Sequence, residues 1–382
     1  MPAAPARAID VVSVPDFAGK AAPKFVIRSL YFLASWIEFA GAARRFPLHL
    51  ACIGTPPDSV LWLAEQAGAR VSTHDPGDAD GGAGVFANKL RGLEVAARTE
   101  DVLLLDTDVL ILSDLSSFAS LGRCIAAAPS LKPKVAEREW LAIYRALGLA
   151  PPDERIACVH AELDLPRLPH LQYPEQNDEM RRMIPYFNAG VIFAPWDCNL
   201  RQAWEGNVRR IADLFRADPD ARPALVACDQ AGLALSIELL KRDGVPFRRL
   251  RPSHHATFYH LYRNRPPLGE VHILHALQFG READTSDFFP RVHRNFIRGR
   301  LHGLHDLLRT ELHEKPFAAP DLLRRYWSAR RSTHRLGAIL ERLYHTRVAP
   351  ALEAGGWAPA PAVFAAGWPR VPAAVAQVPR AA

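Results

Sequence analysis

An α/β fold, a largely parallel sheet covered by helices, is predicted by three features of the sequence. Apolar or β-branched runs alternate with segments of helical spacing through the first two thirds of the chain. The run over 101–112 is so continuously apolar that it reads as a central strand covered on both faces. At 382 residues the chain exceeds the usual length of one domain, so one large α/β domain with an appendage, or two domains, is expected. Hydrophobic residues make up 49% and charged residues 23%, which argues against a disordered or fibrous protein.

Residues 9–14 form a short run rich in β-branched residues that stops at Pro15, giving the first buried strand, and 25–45 has the spacing of a helix. A second strand is expected over 48–54, a helix capped by Asp58 through Gln66, and a third strand over 69–74. The glycine-rich stretch 75–84 reads as a loop and 86–98 as a helix. Past the central strand, 123–128 is strand-like, 135–149 helical, and 151–179 a long proline-punctuated loop of the kind that covers sites. A strand over 186–194, helices over 200–216 and 229–242, and a late strand over 271–276 complete the pattern. Three parts are expected: a main domain over 9–283, a basic helical appendage over 284–347, and an Ala/Pro-rich disordered tail over 348–382.

The most apolar candidate span, 25–43, carries Arg28 and Glu38 and reads as a soluble helix rather than a transmembrane one. The first residues lack an apolar segment followed by a cleavage site, so a cytoplasmic location is expected. Five scattered cysteines without a C-x-x-C pair read as reduced, buried small hydrophobes. The net charge of +6 sits largely late in the chain and arginine greatly outnumbers lysine, so nucleic acid is not the expected partner.

Chemistry concentrates at Asp106-Thr107-Asp108, where the apolar strand ends. Strand alternation puts the two aspartates on one side and Thr107 on the other. Ligands of open α/β sheets bind beyond the carboxyl ends of strands, and two like charges there call for a compensating cation. Mn²⁺ or Mg²⁺ suits carboxylate oxygens and can bridge substrate phosphates. The plainer reading is that both aspartates close a turn.

Further segments follow in order: Asn88-Lys89-Leu90 upstream, then Tyr186-Phe187-Asn188-Ala189-Gly190-Val191, Asp229-Gln230 opening a helix, and His275 ending a late strand. Together they resemble the glycogenin-like family 8 glycosyltransferases over about residues 9–283. The resemblance implies a GT-A Rossmann-like nucleotide-diphospho-sugar transferase fold. It also implies a donor such as a UDP-sugar, and Mn²⁺ (or Mg²⁺) on Asp106, Asp108 and His275. Lys89 would face the donor, Asn188 the transferred sugar, and Asp229 with Gln230 the reacting centre, with retention of configuration. Val14 and Phe17, in the loop after the first strand, would lie at the nucleotide base and Thr107 beside the donor. The family's closing Gly and Lys-Pro-Trp are replaced by Gly280-Arg281, so Arg281 is the candidate for the diphosphate cation. His272 and the pair His254-His255 are the competing histidines.

The acceptor could be a glycan, lipid, peptide or small molecule, and a homo-oligomer is compatible with the sequence. Two other readings stand beside this one. The string L-L-L-D-T-D-V resembles the nucleophile motif of haloacid-dehalogenase-type phosphatases, making Asp106 the nucleophile. Alternatively, the altered histidine segment marks an inactive GT-A binding module.

Overall fold

In the computed structural model, the described residues are 9–18, 22–76, 84–95, 101–130, 137–157, 182–217, 228–257, 270–275, 336, 338–340 and 342–356. Strands β1 (Ile9–Ser13), β2 (Leu48–Ile53), β3 (Arg70–His74) and β4 (Asp101–Leu105) lie parallel in the order β4-β1-β2-β3. A short β5 (Val109–Ile111) follows β4 and leaves this sheet. Beyond β4 the main sheet adds β6 (Ile125–Pro129), β9 (Phe187–Pro195) and β10 (Phe247–Arg249), giving seven strands in the order β10-β6-β9-β4-β1-β2-β3. Strand β9 is antiparallel to both of its neighbours. The chain therefore has the mixed α/β architecture expected from its alternating pattern. Two small pieces stand apart: β7 (Ile156–Ala157) pairs with β8 (Arg182–Met183), and β5 joins β11 (Ala256–Thr257) and β12 (Ile273–His275) in the order β11-β12-β5.

The period of two along each strand explains why both faces are buried. Ile9 and Val11, Leu103 and Leu105, and Val191 and Phe193 enter one apolar cluster. The alternate residues Val12, Val102, Leu104 and Ile192 enter the other. Helix α1 (Ala22–Phe39) and α2 (Asp58–Gln66) cover the first face. The second is covered by α3 (Gly84–Val95), α4 (Glu137–Ala146), α5 (Leu200–Ala217) and α6 (Cys228–Arg242). Cys52, Cys124 and Cys198 are free and buried, and burial pushes the Cys52 thiol up to about 12, in line with inert small hydrophobes.

Three local expectations are corrected. The helix expected over 25–45 ends at Phe39, and a separate 3₁₀ turn, Gly41–Arg45, follows. Gly41 takes φ 60°, which an α-helix cannot continue through, and Asp114 Oδ1 accepts the Ala43 N–H at 3.3 Å. Asp58 does not cap α2 by a side-chain bond: Pro57 holds the cap position and Asp58 lies in the first turn, where its charge still complements the helix dipole. The aspartates 106 and 108 do not alternate along one strand, because 106–108 is a turn between β4 and β5.

The C-terminal described residues complete the first core. A π-helical turn, Tyr344–Val348, runs directly into α7 (Ala349–Ala354). Leu336, Leu340, Leu343, Val348 and Leu352 are buried in the cluster that holds α1 and α2. Arg347 donates from Nε and Nη2 to Glu38 Oε1 on α1 at 3.0 and 2.9 Å. Order thus continues past residue 348, where composition places the start of the tail; residues 357–382 and 284–335 lie outside the described residues. Since Leu343 is fully buried, Leu343→Ala should cost about 2–5 kcal/mol of stability. Urea unfolding measures this, and an unchanged midpoint would mean that the segment only rests on the surface.

Candidate functional site

The site forms where the chain leaves one sheet for the other. Leu105, the last residue of β4, pairs with Val191 of β9, and the Asp106 N–H continues that ladder by donating to the Gly190 carbonyl at 2.9 Å. Three residues later Val109 pairs with His275 in the small sheet. The turn over 106–108 is therefore held at both ends by backbone pairing, and the second pairing sets His275 beside Asp108. His275 Nε2 lies 3.1 Å from Asp108 Oδ1, with both residues buried. Asp106, Asp108 and His275 can each offer one ligand atom, all within 4.8 Å of one another.

Gly190 is what lets the histidine in. A Cβ there would stand 2.4 Å from His275 Cε1 and 2.7 Å from Nδ1, so the imidazole rests on the bare glycine backbone. Asn188 shapes the same strand end, its Oδ1 accepting the Gly190 N–H at 2.7 Å. Asn188 is buried on β9, with its amide committed at least in part to this backbone bond.

Two cations hold the carboxylates. Lys89 on α3 donates to Asp106 Oδ2 at 2.9 Å and lies 3.5 Å from Asp229 Oδ2. Arg28 on α1 lies 3.3 Å from Asp108 Oδ2. Burial by itself would favour the neutral amine of Lys89, but Asp106 and Asp229 outweigh it and hold the ammonium above its ordinary pKa. Burial raises Asp106 above the usual carboxylate range, and Asp108 adds to this while Lys89 and His275 oppose it. For Asp108 burial also works upward, but His275, Arg28 and Lys89 together hold it below the ordinary range. Among the described residues, three carboxylates, Asp106, Asp108 and Asp229, thus face two cations, Lys89 and Arg28. With all three carboxylates ionised and His275 neutral, these described groups carry one excess negative charge. Two carboxylate oxygens and an imidazole nitrogen with surplus negative charge suit a divalent cation such as Mn²⁺ or Mg²⁺, so the residues fit the metal that the motif implies.

Asp229 lies in the first turn of α6, where the Trp204 indole N–H donates to its backbone carbonyl at 2.7 Å. Gln230 is half-buried beside it, and its Oε1 accepts from Ser130 Oγ at 3.4 Å. Thr107 is buried within the turn. Val14 is half-buried against the second core, and Phe17 against the first, where the Phe17 N–H donates to the Ile53 carbonyl at 2.7 Å. Arg281 lies outside the described residues. Among the competing histidines, His272 Nδ1 is 2.6 Å from the Asp114 carbonyl. His254 stacks edge-on against Phe118, and burial, His272 and Arg251 push it down to about 4. His255 touches His275 itself.

Sequence reasoning brought Asp106, Asp108, His275, Lys89 and Asp229 together and missed Arg28. Its signal was present as a lone cation in an otherwise apolar helical run. Asp16 was also passed over: its Oδ2 accepts from Asn88 Nδ2 at 3.1 Å, tying the loop after β1 to the helix that carries Lys89. Gly190→Ala should push the His275 ring from its place and lower stability by about 1–3 kcal/mol. Thermal unfolding reads this, and an unchanged melting temperature would show that the ring can shift freely.

Residues 22–241 match a family model described as the Rhodobacterales glycosyltransferase domain. Among solved structures, apo mouse xyloside xylosyltransferase 1 is 14% identical, with a TM-score of 0.41 over 70% of this chain and 98% of its own. The glycosyltransferase GlyE of Streptococcus pneumoniae TIGR4 is 16% identical, with a TM-score of 0.39 over 72% of this chain and 56% of its own. The bifunctional glycosyltransferase WbbM in its apo form is 14% identical, with a TM-score of 0.38 over 76% of this chain and 50% of its own. The matched part of this chain thus spans about half the length of the latter two. No protein with a curated description matches the chain.

Proposed function

The chain belongs to the Rhodobacterales glycosyltransferase domain family, and from that premise we propose that it moves a sugar from a nucleotide diphosphate to an acceptor with a divalent metal. UDP is the proposed nucleotide, a hexose the proposed sugar, and Mn²⁺ the proposed metal, with Mg²⁺ as its substitute. Asp106, Asp108 and His275 would hold it. The observation that carries this reading is the convergence of these three ligand groups beside Asp229, where carboxylates outnumber cations among the described residues. The chemistry extends the family 8 resemblance, including retention at the anomeric carbon.

A bound divalent cation would neutralise the charge that develops on the leaving diphosphate. The remaining roles fall to the chain's own residues. Lys89, kept positive between Asp106 and Asp229, holds those two carboxylates in fixed relation. Arg28 holds one oxygen of Asp108, leaving the other turned toward His275. Asp229, placed at the start of α6 and steadied there by Trp204, offers a carboxylate oxygen to the positive charge that develops on the sugar. Gln230 and Asn188 are proposed to orient the sugar, Val14, Phe17 and Thr107 the nucleotide, and Arg281 the diphosphate.

A phosphatase using Asp106 finds no support in the family match over 22–241. A domain that binds donor without turnover remains a distinct reading, which donor hydrolysis separates. With UDP-glucose as probe, Asp108→Asn should weaken Mn²⁺-dependent binding on the order of 100-fold. Asp229→Asn should leave binding within about threefold and slow hydrolysis by roughly 10² or more. Calorimetry and UDP release read the two effects. Unchanged binding in Asp108→Asn would remove the metal assignment, and unchanged hydrolysis in Asp229→Asn would remove its catalytic role.

A further inference from the structure

Among the described residues four histidines converge on the small sheet, and one that the reading above leaves without a role touches His275 itself. His255, just before β11, is buried, and its Nε2 lies 2.9 Å from His275 Nδ1. The two rings are near-parallel, 29° apart with centroids 5.1 Å from each other. The contact follows from register: Ala256 pairs with Leu274 and Thr257 with His275, so the residue preceding β11 is carried to the edge of the imidazole. His275 is therefore held on three sides, with Nε2 toward Asp108, Nδ1 toward His255, and its ring edge on Gly190.

A neutral imidazole has one N–H and one lone pair. Nε2 is the nitrogen that faces the carboxylates, so it can give its lone pair to a cation only if the proton stays on Nδ1. An Nδ1–H buried at that point needs an acceptor, and His255 Nε2 stands within hydrogen-bond distance. The opposite arrangement uses the same two contacts: His255 donates to His275 Nδ1, and His275 Nε2–H donates to Asp108 Oδ1. No proton enters or leaves the neutral pair when one arrangement replaces the other; each ring changes tautomer.

We propose that His255 is the positioning residue of the metal site, accepting the Nδ1–H of His275 so that Nε2 is free to bind a divalent cation. His255 touches neither the donor nor the metal; it acts through the orientation and tautomer of His275. The inference rests on the metal-site reading proposed above and goes beyond it by assigning the partner that makes His275 a ligand.

The test is Mn²⁺ affinity, read by the electron paramagnetic resonance of free Mn²⁺ with no nucleotide present, in the full chain and two variants. His255→Phe keeps a ring of similar size and removes the acceptor. His255→Gln places an amide oxygen where Nε2 was. Loss of a partner of this kind costs about 10- to 100-fold in metal affinity, so His255→Phe should weaken Mn²⁺ by that factor and His255→Gln should restore most of it. A folded His255→Phe that binds Mn²⁺ within about threefold of the unaltered chain would overturn the proposal, since that is well below the usual cost. Equal loss in both variants would overturn it too, reducing His255 to a packing residue.

Should His255→Phe fail to fold, ¹⁵N-histidine spectra of the unaltered chain with diamagnetic Zn²⁺ decide. They should show His275 protonated at Nδ1, and protonation at Nε2 would refute the assignment. Absence of any Mn²⁺ binding by the unaltered chain would instead bring down the metal site itself, a failure distinguishable from loss of the His255 role alone.

Discussion

The arrangement turns on like charge gathered in a buried place. Asp106 and Asp108 sit at the junction of two sheets, Asp229 enters from the start of a helix, and no packing of apolar groups can satisfy them. Uncompensated carboxylates in such surroundings would protonate or unfold the turn. The protein answers with Lys89 and Arg28 from two helices on opposite faces of the sheet, and with the edge of an imidazole. Each of these groups is delivered by a different element, so the site exists only when both cores are formed. The remaining negative charge is what a divalent cation is proposed to complete.

The scaffold was legible in the sequence where pattern and physics coincide. The continuous apolar run before Asp106 announced a strand buried on both faces, and β4 has alternate residues in both apolar clusters. Its position at the sheet centre follows. Family membership, together with this mixed sheet, accords with the GT-A type of fold implied by the motif series. The turn at 106–108 was less legible, because apolar residues continue on both sides of it and only the strand partners change from β9 to β12.

The site was legible to the extent that its residues sit at strand or helix ends. Lys89 and Asp229 could have been a solvated cation and a helix cap; spatial convergence at 3.5 Å is something spacing along the chain does not reveal. The choice among His254, His255, His272 and His275 was likewise a matter of register. Parallel pairing of β11 with β12, and antiparallel pairing of β12 with β5, sends His275 toward Asp108 and leaves His272 against the Asp114 carbonyl. Arg28 was hidden for another reason. A cation in an apolar helix reads as an interruption of the stripe until its counterion, eighty residues away, is known.

The last described helical segment, 344–354, adds a long-range constraint. Its residues fill the core beneath α1, and Arg347 pairs with Glu38 on the same helix that carries Arg28. The seat of α1, and through it one contact to Asp108, thus depends on residues more than three hundred positions downstream. A metal-dependent nucleotide site at the carboxylate cluster is the feature on which all of these proposed roles depend. Titration calorimetry of UDP into the full chain, first with Mn²⁺ and then with the metal chelated, tests it most directly. Binding that vanishes on chelation is the expected result; binding of equal strength in both conditions would contradict a metal-dependent site.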